Sequence, residues 1–174
     1  GIKVVTPTFL FSDYSPIGGG GILPMIVTTI YMVILSIVVA TPIGVLSAIY
    51  LQEYAKKGKV VTAIRFATES LAGIPSIIYG LFGGIFFVKV LGMQFSILSG
   101  ALTVAIIILP VIIRTTEEAL KTVPQNYREA SLALGSTKFQ TLYKVILPSA
   151  IPGILSGIIL SVGRVIGESA AILL

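Results

Sequence analysis

The chain has 174 residues, 55% of them hydrophobic and 11% charged, with a formal net charge of +5. Soluble domains carry charge on about a quarter of their residues, so this composition makes a lipid bilayer the natural solvent. Cys, His and Trp are all absent. That excludes disulfides, thiol catalysis and the usual zinc or haem ligation, and no clustered carboxylates offer a catalytic constellation. The basic residues stand in short loops between apolar runs, a pattern that orients membrane proteins rather than one that binds nucleic acid.

In chain order, "GIKVVTPTFLF" lacks the basic n-region and cleavage site of a signal peptide. Its missing Met, and an end ("SAAILL") inside an apolar run, are expected of a trimmed piece. Residues 1–21 read as an external N-terminal segment. Its "GGGG" at 18–21 is a flexible lead-in and not a phosphate loop, because no Lys-Ser or Lys-Thr follows. A bilayer core takes about 20 apolar helical residues, and four stretches within 22–174 qualify, predicting an all-α polytopic transmembrane bundle. The first, Ile22 to Leu51, carries Pro42 and is expected to kink there. The second, Val60 to Leu91, is too long for one straight span, and "LAGIPSIIYGLFGG" predicts a helix broken near Gly73 to Ser76. The third is Phe95 to Ile113, and the fourth Ser149 to Leu174.

Nine of the twelve Lys and Arg residues fall in two places. Lys56, Lys57, Lys59 and Arg65 follow the first stretch, and Arg114, Lys121, Arg128, Lys138 and Lys144 lie between the third and fourth. The positive-inside rule makes both places cytoplasmic, and the parity of four crossings agrees. Lys89 votes the other way, though its stem can snorkel to the outer interface.

Between Arg114 and Pro148 the chain becomes water-compatible. Gln125 and Asn126 are expected to cap a short helix bearing Tyr127, Ala130 and Leu134 at helical spacing, which Gly135 stops. Ser136 is expected to cap a second helix with Phe139, Leu142, Tyr143 and Ile146 on one face. The bend between them would expose small Ala and Ser side chains to a partner's groove.

"EASLALGSTKFQTLYKVILP", 129–148, closely resembles the EAA motif of ABC importer permeases. The match runs through Glu129, Ala130, Ser131 (for the second Ala), Gly135, Val145 (for the usual Ile), Leu147 and Pro148. Three further stretches, "IYLQEYAKKGK", "ESLAGIPSIIYGLFG" and "LPVIIRTTEEALKTVPQNYREASLALG", are similar to phosphate importer permeases of the PstA-like kind, as is "ILPSAIPGILSGIILSVGRVIGES". The resemblance covers the chain from about Gly20 onward and implies a MetI-like type I importer permease. It further implies a prokaryotic plasma (inner) membrane protein with a cytoplasmic coupling loop at 115–148 that docks on an ATPase dimer. The implied partners are a homologous second permease, an external phosphate-binding protein and phosphate itself as cargo. Neither a cofactor nor an enzymatic step in this chain is implied, since ATP hydrolysis belongs to the ATPase. The resemblance also implies an additional N-terminal helix and a final helix, neither of which is expected within residues 1–174.

Charges within the apolar stretches are costly and normally face a partner or a watery path. Arg164 and Glu168, spaced i, i+4 in the fourth stretch, are either a salt bridge that orients helices or, for Arg164, a guanidinium fork for phosphate oxygens. Arg114 either snorkels to the inner surface or guards the cytoplasmic mouth. Arg65 and Glu69 are expected to pair within one helix. Gly73, Pro75 and Ser76 are either a packing kink or a break offering backbone N–H groups to an anion. Two alternatives remain open: cargo such as sulfate or molybdate, to which the EAA motif is blind, and an ATPase-independent channel.

Overall fold

A backbone in lipid must satisfy its hydrogen bonds internally, and the apolar runs do so as helices that pack on one another through small residues. The computed structural model describes residues 7–15, 20–56, 58–168 and 171. Gly18, Gly19, Lys57 and residues 169, 170 and 172–174, named above, lie outside them. The described residues form seven helices and no strand: α1 (Pro7–Phe11), α2 (Leu23–Tyr54), α3 (Lys59–Ala72), α4 (Ser76–Val90), α5 (Ile97–Thr122), α6 (Gln125–Ala133) and α7 (Lys138–Ile166). By length and composition α2, α5 and α7 can each cross a membrane, and a fourth crossing follows if α3 and α4 count as one bent span.

The second apolar stretch breaks where Gly73 and Pro75 predict, and the two arms are bent by 98°. Pro75 lacks an N–H and forces its predecessor out of helical geometry, so α3 stops and α4 restarts with Ser76. Pro42, by contrast, sits within α2, which runs on past it as a single helix. Two boundaries differ from the sequence reading. α5 does not end at Ile113 but continues to Thr122, because Thr116, Glu117, Ala119 and Leu120 still find buried neighbours there. α7 begins ten residues before Pro148, at Lys138, and ends at Ile166, so the crossing expected to run to Leu174 stops short and Glu168 lies beyond it. A π-helical turn at Leu142–Ile146 precedes Pro148; the wider turn relieves the clash a proline ring makes with the preceding turn.

α5 is the central helix, packed along α2, α4 and α7. The contacts fix the directions. Gly100 lies against Met32 and Gly44 against Ile112, so α2 and α5 run parallel. Gly153 meets Ala119 and Gly157 meets Thr115, while Gly83 meets Thr103 and Tyr79 clusters with Ile107, so α7 and α4 run antiparallel to α5. These directions bring Lys56, Lys121, Arg128 and Lys138 to one end of the bundle, as the distribution of charge anticipates. At Gly83 and Gly157 an added Cβ would stand 2.1 and 2.2 Å from a threonine hydroxyl oxygen, so only glycine permits this approach. Between α2 and α5 the fully buried Ser36 hydroxyl lies 3.1 Å from the Ala101 carbonyl.

The core has three parts. Met32, Ala40, Val104, Ile108, Ile112 and Val165 fill the middle of α2, α5 and α7. Leu120, Val123, Leu142, Ile146, Ala150 and Ile154 pin the basic end. Tyr79, Ile107 and Ala171 join α4 to α5. Large apolar side chains elsewhere on α2, α4 and α7 face outward, among them Ile30, Leu46, Phe82 and Ile159, as lipid-facing helices require.

Candidate functional site: a polar elbow and a basic ladder

The elbow at the basic end is built from α6, the turn after it and the start of α7. Gln125 and Asn126 are not caps. Pro124 holds the N-cap position without a side-chain bond, and they form the first helical turn. Pro suits a helix start because the N–H it lacks would be unpaired there anyway. At the far end Gly135 adopts φ +84°, the left-handed conformation that ends α6. The cap of α7 is Thr137 and not Ser136. Thr137 Oγ1 accepts from the Gln140 N–H at 3.2 Å, while Gln140 Oε1 accepts from the Thr137 N–H at 2.9 Å, a reciprocal capping box.

Ser131 is buried, contrary to the expectation of an exposed small residue. Its hydroxyl lies 2.9 Å from the equally buried Thr141 hydroxyl, tying the two arms of the elbow together. The apolar face expected on the second arm divides. Leu142 and Ile146 enter the core, whereas Phe139 and Tyr143 point outward with their rings stacked at 6.4 Å. Glu129, Ala130, Leu132 and Leu134 are also exposed, giving the elbow an apolar outer surface with a carboxylate on it. Leu147 is half-buried and Pro148 exposed, both inside the continuous α7.

A contact that sequence reasoning missed fastens this elbow to α2. Arg128 Nη1 stands 2.6 Å from both carboxylate oxygens of Glu53, and Nη2 donates to the Leu120 carbonyl at 3.0 Å. The two side chains are 16% and 7% exposed. Lys138 adds a cation over the Tyr54 ring, 5.1 Å from its centroid. A lone acid closing an apolar run is a signal in itself, but nothing in the sequence marks its partner 75 residues away.

Beside the elbow, a polar cleft of about 210 Å³ lies between α3 and α5. The intrahelical Arg65–Glu69 pair does not form. Arg65 reaches across to Glu117 on α5 at 3.3 Å, and Glu69 lies 3.8 Å from Arg114. The bend turns α3 along α5, so each charge meets a partner on the other helix. Glu117, 8% exposed, also takes Lys121 at 3.6 Å, and Arg114 takes Glu118 at 3.3 Å.

The remaining candidates are the α3–α4 break, Arg164 and Glu168. At the break the Tyr79 hydroxyl donates to the Leu71 carbonyl at 2.7 Å, bracing α4 against the end of α3. Arg164 is exposed, and among the described residues it forms no ion pair. Glu168, past the end of α7, instead accepts from the Ala171 N–H at 3.2 Å. Of the two readings of Arg164 and Glu168, the salt bridge between them does not form. The antiparallel register that sets Gly157 on Thr115 places Arg164 level with Ile108. Arg114 then lies six residues along α5, about 9 Å nearer the basic end. Arg114 lines the cleft between α3 and α5, whereas Glu168 lines a separate cleft with Pro24, Thr28 and Met32.

A family model described as "Binding-protein-dependent transport system inner membrane component" matches residues 40–174. The chain belongs to that family. Among its relatives is the probable ABC transporter permease protein YqgI of Bacillus subtilis (strain 168), 40% identical over 99% of this chain and 59% of the relative. The phosphate transport system permease protein PstA 1 of Mycobacterium tuberculosis (strain ATCC 25618 / H37Rv) is 40% identical over 88% of this chain and 50% of its own length. PstA of Yersinia pestis is 36% identical over 94% and 56%. The chain therefore spans between half and three fifths of the length of these relatives. In three dimensions it resembles the inward-facing MetNI methionine ABC transporter, with a TM-score of 0.67 and 25% identity over 84% of this chain and 68% of that one. The fold of this family member is thus the MetI-like importer-permease bundle.

Proposed function

We propose that this chain is the membrane-spanning permease part of an ATP-driven phosphate importer. The observation that carries the proposal is the elbow. Its EAA pattern, Glu129, Ala130, Ser131, Gly135, Leu147 and Pro148, falls on a two-armed projection at the basic end of the bundle, with apolar groups turned outward. Such a surface fits a groove on a cytoplasmic ATPase. The basic end is then cytoplasmic by the positive-inside rule, residues 1–21 are external, and the membrane is the inner membrane of a prokaryote. Phosphate as cargo is supported by the PstA relatives, two of which match at 36–40% identity across 88–94% of this chain.

In this reading the chain forms no covalent bond. A homologous permease completes the path, an external binding protein delivers phosphate, and two ATPase copies close on ATP and draw the elbows together, so that the bundles rock and the cavity opens outward. Arg164 offers a guanidinium to the phosphate oxygens. In the same reading the break at Gly73, Pro75 and Ser76 offers backbone N–H groups to the anion, and Arg114 is the next basic station toward the cytoplasm.

The test is uptake by the intact complex in proteoliposomes, with binding protein outside and ATP inside. Labelled phosphate should accumulate only with ATP, and excess sulfate or molybdate should not compete. Accumulation of either competitor in place of phosphate overturns the cargo; flux indifferent to ATP overturns the importer.

A further inference from the structure

We infer that Glu53 is the positioning residue through which the elbow moves α2, with the Glu53–Arg128 pair acting as the mechanical tie between them. The inference rests on the reading of the elbow as the ATPase docking element and adds the path by which its motion reaches the membrane.

α6 needs such a tie. It is nine residues long, its only buried residue is Ser131, and its apolar side chains face outward. Packing alone therefore holds it weakly. Its polar side chains fasten α6 at three points: to α7 through the Ser131–Thr141 hydroxyl contact, to α5 through the Arg128 bond to the Leu120 carbonyl, and to α2 through Glu53. The first two join neighbours along the chain, which would follow the elbow in any case. Glu53 is the long-range link: both of its carboxylate oxygens accept from Arg128 Nη1, and the second terminal nitrogen of that guanidinium is already anchored on Leu120.

The position of Glu53 suits a lever. α2 has 32 residues, and Glu53 is the next to last of them. At 1.5 Å per residue the helix is about 48 Å long against a hydrocarbon core of about 30 Å, so its last turns stand clear of the lipid. The π-helical turn Tyr50–Tyr54 carries Glu53 itself and widens the helix where the load arrives. Tyr54, under the Lys138 ammonium, gives a second, weaker purchase on the other arm of the elbow. A charge pair suits this role better than an apolar contact, since it resists sliding and holds one register.

The experiment uses the intact importer in proteoliposomes and reads three quantities for each variant: assembled complex, basal ATPase rate, and phosphate transported per ATP hydrolysed. With Glu53→Gln the complex should assemble and hydrolyse ATP at the basal rate, while transport per ATP falls about tenfold, within the range by which residues remote from a ligand alter coupling. Glu53→Arg should fall at least as far, and Glu53→Arg combined with Arg128→Glu should recover most of that loss. Wild-type transport per ATP in Glu53→Gln overturns the tie. So does a double variant that assembles but couples no better than Glu53→Arg alone. If every variant loses transport only in proportion to lost complex, the pair merely holds the fold and the inference fails. The docking assignment fails separately, and visibly, if the wild-type permease does not retain the ATPase.

Discussion

Gly135 has φ +84° and nothing within 4 Å of the place a Cβ would occupy. A side chain there meets no neighbour, so the cost is backbone strain alone, about 1–2 kcal/mol. Gly135→Asp should therefore insert and fold with wild-type helix content yet lose ATP-driven uptake, because the strain is relieved by re-aiming the elbow. Circular dichroism and uptake on the same preparation check both halves. Glu129→Lys, on the exposed face of α6, should likewise assemble and transport poorly, since it reverses the only charge on that surface of the helix. Gly157 is the opposite case. A Cβ there falls 2.2 Å from Thr115 Oγ1, so Gly157→Val should destabilise the α5–α7 contact by about 1–3 kcal/mol, read as a lowered Tm of the purified permease. Gly135 was legible in the sequence, because a glycine after an amphipathic run marks a helix end. Thr137 was legible too, because Gln140 stands three residues after it as a capping box requires, whereas Ser136 has Phe139 at that place.

Among the elements, α3 is held in an unusual way. None of its residues is buried, and it meets α5 through Arg65–Glu117 and Arg114–Glu69. The second pair is 61% exposed on both sides and adds little. The attachment thus depends on Glu117, which is buried and shared by Arg65 and Lys121. Glu117→Gln should loosen α3 and leave the α2–α5–α7 packing in place. Hydrogen exchange in nanodiscs should show amides of 59–72 exchanging about tenfold faster, equivalent to about 1.4 kcal/mol, with those of 97–113 unchanged. Equal acceleration in both would mean that Glu117 supports the whole bundle. The break at Gly73–Pro75 could be read from residue types, because Pro removes a donor and Gly relaxes the backbone. The 98° bend could not, since residue types mark where a helix breaks and not the angle at which it resumes. The same blindness shortened α5 at Arg114: charge was taken as the end of the helix, whereas helical geometry continues through water as readily as through lipid.

At the scale of the whole molecule, the positive charge at alternate loops was sufficient to order the crossings, and the parallel and antiparallel contacts of α5 agree with that order. What the sequence could not supply is register, which lies in the side chains that meet. Register is what places Arg164 about 9 Å from Arg114 along α5. Glu168 lies past the end of α7, so it does not share a helix with Arg164. Among the described residues this guanidinium has no carboxylate partner, which is costly in an apolar stretch unless an anion visits it. If phosphate does, Arg164→Gln forfeits a charged hydrogen-bonding partner worth about 1.5–3 kcal/mol, and uptake should fall by a factor of about ten to a hundred with assembly intact. Arg164→Lys keeps the charge but loses the planar fork, so its uptake should lie between the two, with weaker rejection of sulfate. A purely orienting role predicts instead that both variants transport normally once assembled, and that any defect appears as lost complex. Uptake normalised to the amount of assembled complex separates the two outcomes.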